Sequence, residues 1–116
     1  MFQRAQFLQG VLPFEGRGLD APQALGEQGI YRVPADKRAQ LVYFRAGNSL
    51  GELICVSLRR DGKLLRHFPL GARASVHVPL AVVEELEPES VLEVVVAAPQ
   101  GEKGTLIFDL GLVEVD

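Results

Sequence analysis

"GELICVSLRRDGKLLRHF", residues 51–68, decides the fold class. Ile54, Val56 and Leu58 alternate with Cys55, Ser57 and Arg59, the period of a strand with one buried face. Asp61-Gly62 then breaks the pattern, the strongest short hairpin signal, and "KLLRHF" (63–68) resumes it. The stretch is therefore two antiparallel strands, and two registers fit. A type I turn with a bulge at Gly62 puts Arg59 opposite Lys63 and Cys55 opposite His67, off the core. A two-residue type I′ turn puts Arg60 opposite Lys63 and Cys55 opposite Phe68, and moves His67 to the face of Val56. The first register keeps apolar beside apolar and is preferred.

Outward from this hairpin the chain repeats the same grammar. Short apolar runs, "QFLQGVLPF" (6–14), "IYRV" (30–33), "AQLVYFRA" (39–46), "ASVHV" (74–78), "VLEVVVAA" (91–98) and "TLIFDLGLVEV" (105–115), are separated by Gly, Pro, Asn, Asp and Ser. That spacing predicts an all-β immunoglobulin-like β-sandwich of about seven to eight short antiparallel strands. "PLAVVEEL" (79–86) has Pro79 at a first helical position and Leu80, Val83 and Leu86 at three-residue spacing, which predicts a short helical corner. Residues 15–29, with four glycines and little apolar pattern, read as a long flexible loop. "APQGEKG" (98–104) reads as a second hairpin turn, and Gly47-Asn48 as a tight turn at positive φ.

The length, 116 residues, predicts a single domain, 1–116. One cysteine excludes an internal disulfide framework. No run approaches the ~20 apolar residues of a membrane span, and the first residues show no leader pattern; the expectation is a cytoplasmic protein with no membrane role. Net charge is −3, which argues against nucleic acid as a partner. The charge is uneven, however. Residues 59–73 hold Arg59, Arg60, Lys63, Arg66 and Arg73 against Asp61 alone, whereas residues 84–116 hold nine carboxylates against Lys103. Arg59, Arg60, Lys63 and Arg66 are the candidate anion-binding residues, for phosphates or for an acidic protein surface.

Strand alternation assigns Ile54, Val56, Leu58, Val76, Val78, Leu92, Val94, Val96, Leu106, Phe108, Leu110 and Leu112 to the core. It leaves Leu53, Val91, Val95, Ile107, Val113 and Val115 on faces that should be polar if they met water. These six form the candidate interface, for a second copy or a partner with an apolar surface.

The catalytic inventory is thin. There is no phosphate loop, no nucleophile elbow and no zinc-type Cys or His spacing, so neither an enzyme nor a cofactor is expected. The thiol of Cys55 beside the imidazole of His67, with His77 nearby if the next strand packs alongside, is the one metal- or thiol-dependent candidate. Two tyrosines and no tryptophan argue against a stacked sugar platform. The sequence points to a non-catalytic protein-interaction or assembly module that self-associates through an apolar sheet face.

Overall fold

The computed structural model describes residues 3–80 and 85–116. Among these residues ten strands, β1 (Gln3–Glu15), β2 (Gly18–Ala24), β3 (Ile30–Arg32), β4 (Arg38–Asn48), β5 (Ile54–Arg60), β6 (Lys63–Leu70), β7 (Ser75–Pro79), β8 (Glu85–Leu86), β9 (Val91–Ala98) and β10 (Lys103–Val115), are accompanied by one 3-10 turn at Glu27–Gly29. The first sheet runs β1-β10-β4-β7, with β8 also on β4; the second runs β2-β9-β5-β6, with β3 also on β9. All the pairings are antiparallel.

The two sheets pack as the sandwich expected from the strand spacing, and period-two alternation places the core between them. Ile54, Val56, Leu58, Leu92, Val94, Val96, Leu106, Phe108, Leu110 and Leu112 are all buried there. Phe44 of the first sheet stacks on Phe68 of the second, with centroids 4.4 Å apart. Each fully buried side chain of this size contributes about 1.5–3 kcal/mol.

The wiring differs from the immunoglobulin-like one. β1 pairs with β10, β2 with β9, β4 with β7 and β5 with β6. These are nested pairs around the Asp61-Gly62 turn, as if one long hairpin had been rolled into two sheets, which is the arrangement of a jelly roll. In an immunoglobulin sandwich the last two strands lie side by side in one sheet; here β9 and β10 lie in opposite sheets. The segment 98–104 is accordingly a crossover and not a hairpin. It packs against the β1–β2 crossover: Gly16 N donates to Glu102 O (2.7 Å) and Gly101 N to Gly16 O (2.9 Å).

Two local expectations also change. Residues 18–24, expected within a loop, are β2, an edge strand that pairs with β9 through Gly18–Ala98, Gln23–Val96 and Ala24–Val95, with a register shift in between. Pro22 and the irregular pairing erase the alternation that would have revealed it. Gly47 and Asn48 are strand residues, opposite Ile107 and Leu106. The turn follows them, fixed by the buried Asn48 amide, which donates to Glu52 O (2.9 Å) and Gly71 O (3.0 Å) and accepts from Leu50 N (2.9 Å). The helical corner expected near 79–86 falls on residues 81–84, outside those described; on its flanks Pro79 closes β7 and Glu85–Leu86 forms β8.

Candidate functional site

The β5–β6 hairpin adopts neither of the two registers. Asp61 (φ 50°) and Gly62 (φ 82°) form a two-residue turn that pairs Arg60 with Lys63. A bulge then adds Leu65 to β6, so that Leu58 pairs with Arg66, Ser57 with His67 and Cys55 with Pro69. The bulge has a clear cause. Continued regularly from this turn, the ladder would send Phe68 out and His67 in; one extra residue returns Phe68 and Leu70 to the core. His67 is thereby on the outer face, where Nδ1 hydrogen-bonds Ser57 Oγ (2.7 Å) and lies 3.6 Å from Cys55 Sγ. The cysteine and histidine do meet, diagonally, with the buried Ser57 between them. His77 does not join them: it lies on the outer face of the first sheet, opposite Arg45. Among the described residues no group of three or more His, Cys, Asp or Glu side chains is gathered for a metal ion.

The four candidate anion-binding residues are not one surface. Arg66 faces the inner side, its guanidinium carbon 5.9 Å from the Phe68 centroid. Arg59 points outward across from Glu93 of β9, and Arg60 and Lys63 flank the turn. The turn itself is docked: Asp61 N donates to Val91 O and Val91 N to Asp61 Oδ1, both at 2.9 Å. Several of the C-terminal carboxylates are partnered, Glu85 and Glu87 with Arg38, and Asp116 with Lys37.

The six apolar interface candidates divide between surfaces. Val95 is fully buried and Val91 half-buried on the second sheet, and Leu53 is exposed in the β4–β5 turn. Ile107, Val113 and Val115 share the outer face of the first sheet; Ile107 is 56% exposed and the two valines are half-buried. That face carries two further apolar residues the sequence reading passed over, Phe7 (60% exposed) and Val11 (65%). Their parity in β1, with Gln9 between them, was the available signal; it became readable only once β1 was aligned with β10, Val11 opposite Ile107 and Phe7 opposite Gly111.

The middle of this face is polar. Asp109 of β10 accepts from Gln9 Nε2 of β1 (3.1 Å) and from Tyr43 Oη of β4 (3.1 Å), and pairs with Arg45. Partial burial raises the Asp109 pKa, but the hydrogen bonds from Arg45, Gln9 and Tyr43 outweigh it and hold the carboxyl below its ordinary value. The same contact works in reverse on Tyr43, whose hydroxyl is pushed up by burial and by the carboxylate. Tyr43 lies over Gly111, where a Cβ would overlap its ring, and meets His77 edge-on at 5.9 Å. At one end of the sandwich the Tyr31 hydroxyl donates to the buried Glu114 carboxylate, tying β3 to β10 across the two sheets; burial first, then that carboxylate, raise its pKa.

No protein-family model matches the chain, and no curated protein matches it in sequence. Similarity appears in solved structures. The CBM36-1 domain of a multidomain xylanase from the hindgut metagenome of Trinervitermes trinervoides is 13% identical with a TM-score of 0.59, over 94% of this chain and 96% of that one. Infectious bursal disease virus Gt strain is 12% identical (TM-score 0.51) over 97% of this chain and 32% of its own. The insecticidal delta-endotoxin Cry8Ea1 from Bacillus thuringiensis is 11% identical (TM-score 0.51) over 91% of this chain and 20% of its own. The chain thus spans nearly all of the xylanase domain but a third or less of the other two, and at these identities the likeness is one of fold: a two-sheet β-sandwich.

Proposed function

We propose that this domain is a non-catalytic assembly module that binds a second copy of itself along β1. One observation carries the reading. β1 is an edge strand of 13 residues, more than twice the usual strand length of about 5–6, and residues 5–14 carry no charge. Open edges in monomeric proteins are kept short, charged, covered or interrupted by proline; β1 has Pro13 near one end and none of the other devices over residues 5–12. Here Phe7 and Val11 stand outward on the edge, with Ile107 beside Val11. An antiparallel two-fold about Gln9 would set Phe7 against Val11 of the other copy at both ends, extending each apolar row across the junction, and would bring Gln3 to Glu15. β1 is therefore complementary to itself. The fold it shares with a domain of a xylanase and with virus particles is compatible with a binding or assembly role and does not choose between them.

Light scattering over a concentration series tests this. The expected species is a dimer; Val11→Lys, exposed on the monomer and so tolerated by its fold, yields a monomer of unchanged circular dichroism. Leu64→Lys, on the second sheet, leaves the dimer intact. A monomer at every concentration rejects the proposal.

A further inference from the structure

Gly47 is a glycine that the fold does not require. It lies within β4, paired with Ile107 of β10 on one side and Ser75 of β7 on the other. It is not among the glycines with positive φ, and a Cβ built on it meets nothing within 4 Å. Gly47 is the next-to-last residue of β4; with no bulge, positive φ or close packing to account for it there, close approach by a ligand or another backbone is the use a strand glycine retains.

The neighbouring rows sharpen the point. Outward along β4 and β10 the pairs are Tyr43–Gly111, Arg45–Asp109 and Gly47–Ile107. In the first, the tyrosine ring fills the space that glycine leaves. In the second, an ion pair fills it. In the third nothing does, and the result is a groove of ≈ 610 Å³ bounded by Arg45, Ser75, His77, Ile107 and Asp109. Ser75 and His77 are exposed, and neither the Ser75 hydroxyl nor the His77 ring nitrogens have a hydrogen-bond partner among the described residues.

We propose that this groove binds a saccharide ring. Arg45 and Asp109 neutralise each other, so the lining favours neither an anion nor a cation. What remains is an apolar floor, the Gly47 backbone and the Ile107 side chain, rimmed by a carboxylate acceptor, guanidinium donors, a hydroxyl and an imidazole. A pyranose has the matching form: a C–H face surrounded by hydroxyls that both donate and accept. Recognition here is by rim hydrogen bonds over a glycine floor, so the scarcity of aromatic platforms does not count against it. Pairing along the β1 edge leaves β4 and β7 open, so the saccharide site and the dimer stand or fall separately.

The test is an NMR titration of the full chain with neutral hexasaccharides (xylo-, cello- and mannohexaose), with acetate and sulfate as charged controls. Saturable amide shifts at Arg45, Gly47, Ser75 and His77 with at least one hexasaccharide are expected. Gly47→Val, whose side chain has room, should weaken binding by about tenfold or more while the melting temperature holds or rises, because a β-branched residue suits a strand. His77→Ala, at an exposed position, should also weaken binding and serves if Gly47→Val does not fold. No saturable shift with any hexasaccharide, a response to the anions in their place, or full binding by the variants would overturn the proposal.

Discussion

Asp109 shows how much one residue organises on this surface. It receives hydrogen bonds from β1 and β4 and an ion pair from Arg45, while His77 of β7 faces Arg45 from the other side. A carboxyl held below its ordinary value of 3.8 adds stability above that value, and the contribution is lost as pH falls through the lower folded value. Arg45 is 56% exposed, so solvent screening keeps the effect small. Asp109→Asn should therefore cost a little stability at neutral pH and lose less on acidification from about pH 4 to pH 2 than the native chain. Thermal unfolding followed by circular dichroism at stepped pH reads this directly; acid limbs of equal steepness would show that Asp109 contributes nothing. The residue was legible only as an outward-facing position in β10. Its partners belong to two other strands, and no local pattern in the sequence points from Asp109 to Gln9 or Tyr43.

At the scale of elements, what was legible depended on whether a local rule had competitors. The inner faces of β5, β9 and β10 followed from alternation alone, because burial of one face forces period two; the outer face of β9 did not, since Val95, between β2 and β5, is buried on that side too. The hairpin register did not follow. Asp61-Gly62 admits two turns, and the side-chain pattern beyond it conflicts with the one that forms. The chain resolves the conflict with the Leu65 bulge, a choice made by the core's demand for Phe68 and Leu70. Asp61 holds the turn in two ways, by accepting a left-handed backbone (φ 50°) and by accepting from Val91 N. Asp61→Ala removes both and should cost about 1–2 kcal/mol. Asp61→Asn keeps the Oδ1 acceptor and the tolerance for left-handed φ and should be nearly neutral. Urea unfolding of the pair separates the turn's contribution from mere proximity to β9: equal losses would exclude both roles. The turn at Gly47-Asn48 shifts for a related reason: Asn48 does hold the turn, but through its side chain from the last residue of β4, and nothing local says on which side of the turn such a residue sits.

For the whole molecule, the sandwich followed from strand count and spacing, but the wiring did not. The segment 98–104 has the composition of a hairpin loop, and only the pairing of β9 with β5 and of β10 with β4 makes it a crossover. That wiring leaves β1 on the sheet edge, its Phe7 and Val11 outward, and it is this placement that bears on assembly. If β1 pairs with β1 of a second copy, dimerisation and folding are linked: the dimer adds to the stability of the folded state and nothing to the unfolded one. The melting temperature should then rise with protein concentration. In Val11→Lys the rise should vanish and the melting temperature should fall to the native chain's low-concentration value, since Val11 is mostly exposed on the single chain and loses little packing there. Calorimetry over a wide concentration range provides the measurement. A native melting temperature independent of concentration would mean that the β1 edge stays open in solution. A Val11→Lys chain melting well below the native dilute limit would instead assign Val11 to the stability of the monomer.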